Sequence, residues 1–259
     1  MDDKLKRKMI RNYFDKLPNA VYGFAFAGLI CFCIACLLYG QLKVVSQAAL
    51  NMIGIGVFLL ALGWLVWYMH SRKPRATDEQ FDAFFSEDLT ELNDHALSKM
   101  GMQKSQLVRE PVNIVAPKLW DTAGATKLHK TGKDKASRYT PINITAINFT
   151  ANQLLVYECI YDILTGNPLN ERTDEYFYKD VVSVSTRKES LSIKTSEYGV
   201  VQLNEAETFI LTTSGGTSVS VLLRAPALIQ RLDGGDVSIT TAEKAIQAIR
   251  QMLREKKSA

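Results

Sequence analysis

The sequence predicts a membrane-anchored α+β protein. An N-terminal transmembrane helical hairpin precedes an antiparallel β barrel or bent sheet that is capped by a C-terminal helix. Three observations predict this fold: two uncharged apolar runs at 20–39 and 48–69, a series of short alternating runs between 140 and 223, and an amphipathic helical pattern from 240 onward. At about 1.5 Å per residue, each apolar run forms a helix of roughly 30 Å, the thickness of a bilayer core.

The two apolar runs are joined by only residues 40–47, so the helices must lie side by side and antiparallel. A secretory signal peptide is the alternative interpretation of the first run, but its apolar core is too long and a second run follows at once. Small residues recur on both runs and are candidates for close helix packing: Gly23, Ala27, Cys31 and Ala35 on the first, Gly56 and Gly63 on the second. They would serve packing within one hairpin or self-association of several hairpins.

Charges flanking the hairpin predict its orientation. Nine lysines and arginines lie on the two flanks, whereas the connecting loop carries Lys43 alone. The positive-inside rule then places both termini, and the C-terminal domain, in the cytoplasm.

Charge and cysteine content exclude several classes of function. From residue 76 onward there are 21 basic and 24 acidic residues, so the electrostatic signature of nucleic-acid binding is missing. Cys31, Cys33 and Cys36 lie inside the first apolar run with no nearby histidine or acid to complete a metal site. We expect no disulfide framework, no metal and no cofactor.

A linker helix is predicted between the hairpin and the β domain. Thr77 and Gln80 have capping-box spacing, and apolar residues then recur near helical period from Phe81 to Met100. The predicted organisation is a membrane anchor at 1–75, an amphipathic linker helix at 76–106 and a β domain with a C-terminal helix at 107–259.

Residues 123–138 are rich in glycine, threonine and lysine and predict a mobile basic loop. It is either a solvated connection or a contact with anionic lipid headgroups, at about 1 kcal/mol per basic residue. The lipid-contact candidates are Lys127, Lys130, Lys133, Lys135 and Arg138.

Strand patterns fill the region from 140 to 223. Apolar residues alternate from Ile142 to Ile144 and from Leu155 to Ile163 around a turn at 150–153, and further β-branched runs follow. A turn at 214–217 joins the last two strands. The final helix begins near Thr240 and carries one apolar stripe.

Three of these segments resemble bacterial pleckstrin-homology-like (PH-like) domains. Residues 148–157 are similar to a strand-turn-strand segment of that family, 177–184 to the strand that follows, and 210–217 with the terminal helix match in order and spacing. The resemblance covers 107–257. It implies a PH-like β domain and a bacterial inner membrane; the basic loop would lie near the turn where eukaryotic relatives bind phosphoinositides, although their K-x-n-[K/R]-x-R signature is missing here.

Enzymatic chemistry is not indicated. The three histidines lie far apart in the sequence, and no phosphate-binding loop, dinucleotide fingerprint or zinc-protease motif is present. The acids Glu171, Asp174 and Glu175 flank a turn and are interpreted as a solvated edge. We therefore expect a non-enzymatic binding or scaffolding protein that contacts lipid, a protein partner or further copies of itself. The alternative is an accessory subunit of a membrane transport or channel-like complex.

Overall fold

A computed structural model describes residues 2–42, 47–118, 122–195, 199–224 and 240–257. The chain forms two compact units, one of Arg11–Arg75 and one that combines Met1–Ile10 with Ala76–Ala259. Lys43, the single basic residue of the predicted hairpin loop, lies outside the described residues.

Two long apolar helices make up most of the first unit: α2, Asn19–Leu42, and α3, Gln47–Ser71. Both are long and apolar enough to cross a membrane. A shorter helix, α1, Asp3–Phe14, precedes them and spans the boundary between the units. Helix α1 was not predicted, because its many charges suggested only a flank of the membrane segment.

The hairpin helices touch through small residues. The buried residues of α3 recur every seven positions, at Ala49, Gly56, Gly63 and His70. Seven residues are close to two helical turns, so these residues form one narrow stripe. Much of the remaining surface is apolar and exposed, including Phe26, Leu37, Phe58 and Trp64. The large apolar side chains of this helix pair are therefore suited to contact with another apolar environment.

The second unit begins with the capped helix α4, Asp78–Lys99. Thr77 and Gln80 form the predicted capping box, each side chain bonding the other residue's backbone N–H. Phe81, Leu92 and Ala96 are buried, as the helical period predicted. The helix lies within the predicted linker at 76–106 and ends at Lys99.

Three antiparallel sheets follow α4. The first has strand order β1–β4–β5–β6, the second contains β2 and β3, and the third has the order β7–β8–β9. Their bounds are β1 Arg109–Pro117, β2 Leu128–Thr131, β3 Ser137–Thr140, β4 Ile142–Phe149, β5 Gln153–Asp162, β6 Asn167–Phe177, β7 Val181–Thr195, β8 Gly199–Thr213 and β9 Ser218–Arg224.

Both faces of β4 and β5 are buried. The predicted inward residues, such as Ile144 and Tyr157, lie on one face, and Ile147, Phe149 and Leu154 lie buried on the other. The second face belongs to a core that also includes Phe209 and Leu211 of β8. Alternation therefore located the strands but underestimated how completely they are covered.

The C-terminal helix α5, Thr240–Lys257, completes this core. Its apolar stripe contributes Ile246, Ile249, Met252 and Leu253, which pack with residues of the first and third sheets. Among the described strands, neither edge of the third sheet pairs with the first. The antiparallel strands and C-terminal helix agree with prediction, but these strands form separate sheets and no closed barrel.

Candidate functional site

The predicted basic loop contains a β-hairpin. Strands β2 and β3 pair from Leu128 with Thr140 to Thr131 with Ser137, and a tight turn joins them. Lys135 occupies the left-handed region at φ +65° in that turn. Lys130, Lys133 and Lys135 are exposed, and Lys127 is half-buried. Contact of these lysines with lipid stays a prediction.

Arg138 is arranged differently from the lysines, because its side chain is buried among carboxylates. Its guanidinium donates to Asp82 of α4 at 2.7 and 2.8 Å and to Asp134 at 2.7 and 3.1 Å. Asp78 lies 3.8 Å away. The hydrogen bonds from Arg138 lower the pKa of Asp134 to about 2. This Arg138 cluster fastens the β2–β3 hairpin to the first turns of α4 and gives the arginine a structural role.

A second cluster, centred on Asp88 at the middle of α4, is the most deeply buried. The Asp88 carboxylate is 0% exposed and accepts two hydrogen bonds from Arg7 of α1, at 2.5 and 2.9 Å. Lys6 lies 2.7 Å from Asp88 and 2.6 Å from Glu87. Burial lowers the pKa of Lys6, but hydrogen bonds with these carboxylates outweigh burial and raise it overall. Because each charge is paired with an opposite charge, the pairing offsets the free-energy cost of removing these groups from water.

The Asp88 cluster also reaches the β5–β6 turn. Arg7 donates to the backbone oxygen of Ile163 at 3.3 Å. Gly166 of the turn has φ +76°, and a Cβ there would lie 2.5 Å from the Arg7 guanidinium. Glycine is therefore required at position 166 for two reasons: the left-handed backbone conformation and the close approach of the Arg7 guanidinium.

A third cluster forms at the C-terminal end of α4, around Glu171 of β6. Its carboxylate lies 2.8 Å from His95, 3.0 Å from Lys99 and 2.8 Å from the hydroxyl of Tyr157. Burial alone would raise the pKa of Glu171, but these hydrogen bonds lower it to about 2. The interpretation of Glu171 as part of a solvated edge was wrong, because α4 covers this part of the sheet.

Acidification should weaken the Glu171 cluster. The folded pKa of about 2 lies below the ordinary value of 4.5, so the carboxylate contributes stability that is complete above that ordinary value and is lost as the pH falls towards 2. We expect the stability difference between the wild type and Glu171→Gln to be nearly constant from pH 6 to about pH 5 and then to shrink towards pH 2.5, measured by thermal unfolding of the full chain. Glu110→Gln, at an exposed carboxylate, is the control. A pH-independent difference would contradict the assignment.

Only some of the helix-packing candidates lie at the contact between α2 and α3. A Cβ on Gly56 would lie 3.2 Å from the backbone oxygen of Gly28, and one on Gly63 would lie 3.2 Å from the Cβ of Phe24. Ala35 is buried, whereas Ala27 and Cys31 are half-buried. Gly23 is exposed, and a Cβ there would meet nothing within 4 Å. Gly28, which the four-residue spacing passed over, lies at the centre of the contact.

An open groove of about 430 Å³ lies between β7 and α5. Among the described strands β7 pairs with β8 alone. Val182 is the extra residue of a β-bulge and is 58% exposed. The groove is lined by Val181, Val182, Ser183, Val184, Arg250, Leu253 and Arg254. Apolar side chains and two arginines thus border this groove.

The described residues contain no group of three or more histidine, cysteine, aspartate or glutamate side chains placed to hold a metal ion. In the three clusters on α4 the charges are paired and fasten the helix, and the groove is an open space beside β7 and α5. Comparison with family models, with curated proteins and with solved structures finds no match to this chain.

Proposed function

We propose that this chain is a membrane-anchored, non-enzymatic binding or scaffolding protein. In this proposal the α2–α3 hairpin holds a PH-like unit at the cytoplasmic face of a bacterial inner membrane, where the unit binds a protein partner. The observation that carries the proposal is the exposed apolar surface of the hairpin, which water would not tolerate over such an area. The PH-like part is supported by a four-stranded and a three-stranded antiparallel sheet that share a core with α5.

The orientation follows from the charges on the hairpin flanks. Nine basic residues flank the hairpin against one in its loop, which favours cytoplasmic termini. We expect protease added to intact spheroplasts to leave the chain after Arg75 uncut, and to cut it once the membrane is permeabilised. Western blotting of a C-terminal tag gives the result. Complete digestion in intact spheroplasts would refute the topology.

The groove between β7 and α5 is where this proposal places the partner. Alternate side chains of an extended segment can enter pockets along such a groove, and the groove lining then selects them. The part of β7 that borders the groove, 181–184, carries no charge, whereas Arg187, Lys188 and Glu189 follow it. Arg250 and Arg254 line the opposite wall. The occupant that fits is an extended, acidic segment of another protein.

Charge reversal in the groove tests this partner class. A fluorescent peptide in which valine alternates with glutamate should bind the full chain in non-ionic detergent, and Arg250→Glu should weaken binding by about 1 kcal/mol, roughly fivefold in Kd. Fluorescence anisotropy gives the affinity. Lys256→Glu makes the same charge change on an exposed part of α5 outside the groove. Equal binding of a lysine-containing peptide, or equal loss in both variants, would contradict the docking mode.

The open face of the hairpin supports a further part of the proposal, association with another membrane helix. Cβ atoms at Gly23 and Gly54 would meet nothing within 4 Å. Small residues on such faces permit close helix approach in lipid. A second copy of the hairpin is the partner we propose, and an accessory role in a larger membrane complex is the alternative. The mass of the detergent-solubilised particle distinguishes them.

A further inference from the structure

A second cavity, separate from the groove, lies against the first sheet and reaches β9. Its volume is about 240 Å³. Its apolar lining includes Ile114, Ala116 and Ile160, and its polar lining includes Thr145, Glu158 and Arg172. An engineered cavity of about 150 Å³ holds a benzene-sized molecule, so this space suffices for a ligand of roughly six to eight non-hydrogen atoms.

Glu158 is the unusual residue of this cavity. It is half-buried, and its carboxylate has no hydrogen-bond or salt-bridge partner within the described part of the chain. Burial raises its pKa, with Arg172 opposing the shift and Asp174 adding to it. A partly buried carboxylate without a partner is unfavourable, because water no longer solvates it fully and no donor replaces the water.

Arg172, the cation that lines the cavity beside Glu158 in the described part of the chain, is already engaged. Arg172 is the register partner of Glu158 across β5 and β6, but its guanidinium lies 2.7 Å from a carboxylate oxygen of Asp174 and 3.3 Å from the other. The three side chains together carry one positive and two negative charges. The cavity therefore has an unbalanced negative charge when Glu158 is ionised.

A β-bulge shapes this part of the cavity wall. Glu158 pairs with Arg172 and Ile160 pairs with Leu169, so Cys159 alone faces two residues of β6, Asn170 and Glu171. Asn170 has φ +50° and lines the cavity, while Glu171 bonds to α4. Bulges and left-handed residues other than glycine are unfavourable locally and are concentrated at functional sites.

We propose that this cavity binds a small organic cation, with an ammonium or guanidinium group paired to Glu158 and a short apolar body against Ile114, Ala116 and Ile160. The pairing replaces the missing donor at the carboxylate and balances the local charge. Such a group could come from a free amine or from a lysine side chain of another protein. This site is independent of the partner groove and of its acidic occupant.

Calorimetric titration of the full chain at pH 7.5 tests the proposal. The detergent must be non-ionic, because cationic headgroups would compete. We expect n-pentylammonium to bind with a Kd in the millimolar range or below, and n-pentanol to bind at least tenfold more weakly. Acetyl-lysine-amide, whose side chain carries the same ammonium group, is the second probe. Tighter binding of n-pentylammonium indicates a free amine, and tighter binding of the lysine derivative indicates a protein side chain.

Amino-acid substitutions distinguish binding in this cavity from nonspecific binding. Glu158→Gln removes a partly buried charge without changing size, so the chain should fold, and its affinity for n-pentylammonium should fall at least tenfold. Ala116→Leu should block the cavity from its apolar side. Glu110→Gln, at an exposed carboxylate of the same unit, should bind as the wild type does. No binding by the wild type, equal binding by Glu158→Gln, or equal binding of n-pentanol would overturn the proposal.

Discussion

Replacing Asp88 by alanine is expected to destabilise the unit that contains the β domain by about 3–5 kcal/mol, because the change leaves Lys6 and Arg7 buried without their shared carboxylate. For a unit of this size, that corresponds to a fall in Tm of about 6–20 °C. Thermal unfolding of the full chain in detergent, followed by circular dichroism, measures the effect. Asp88→Asn keeps the volume of the side chain and isolates the contribution of its charge.

Glu87→Ala is the matched control for this prediction. Glu87 is the neighbouring acid and also lies 2.6 Å from Lys6, but its side chain is 61% exposed. An ion pair with so exposed a carboxylate is screened by water and contributes little to stability. If Glu87→Ala and Asp88→Ala lowered Tm equally, burial would not be the source of the stabilisation, and the central role assigned to Asp88 would be wrong.

The Asp88 cluster also has a consequence for how the protein can be divided. Because Met1–Ile10 belongs to the unit of the β domain, a fragment that begins at Ala76 would lose Lys6 and Arg7 and leave Asp88 unpaired. Such a fragment would report on a damaged unit. Tests of lipid or partner binding therefore require the full chain.

The local pattern of α4 predicted the helix but not its ion pairs. Position 88 lies seven residues after Phe81 and four before Leu92, on the buried side of the helix, so an acid there was a visible exception to the apolar stripe. Its partners could not be identified, because Arg7 is 81 positions away and helical period contains no information on such distant contacts. The same limit concealed the contacts of Arg138 and Glu171.

The basic loop shows a second limit of predicting structure from local sequence. Glycine, threonine and lysine at 123–138 are typical of loops, and no apolar alternation marks β2 or β3. The hairpin nevertheless forms, because Arg138 bonds with Asp82 on α4. A contact between distant segments thus overrides local propensity, which for strands is weak and depends strongly on context.

For the hairpin, length and composition predicted both helices but not which small residues touch. A four-residue spacing selected Gly23, yet the contact follows the seven-residue stripe of α3 and uses Gly28 on α2. Gly54 and Gly56 are equally small and lie two positions apart. Their surroundings differ because successive helix positions are rotated by about 100°.

Because their surroundings differ, Gly54 and Gly56 form a matched pair of positions at which a leucine substitution tests the packing of the hairpin. Gly56→Leu should destabilise the hairpin by about 1–3 kcal/mol or more, because the new side chain starts 3.2 Å from the Gly28 backbone oxygen and 3.3 Å from the Cβ of Cys31. Gly54→Leu should leave the hairpin packed, because its Cβ meets nothing within 4 Å. Unfolding in mixtures of non-ionic detergent and dodecyl sulfate, followed by tryptophan fluorescence, compares the two variants.

The same pair also separates packing within a hairpin from association between hairpins. If several copies associate through the open face, Gly54→Leu should reduce the mass of the solubilised particle while leaving the hairpin stable, since a bulky side chain prevents close approach of a second helix. Gly56→Leu should instead destabilise the hairpin whether or not copies associate. Equal destabilisation by both variants would contradict the asymmetric packing. An unchanged mass in Gly54→Leu would remove this face from any interface between copies.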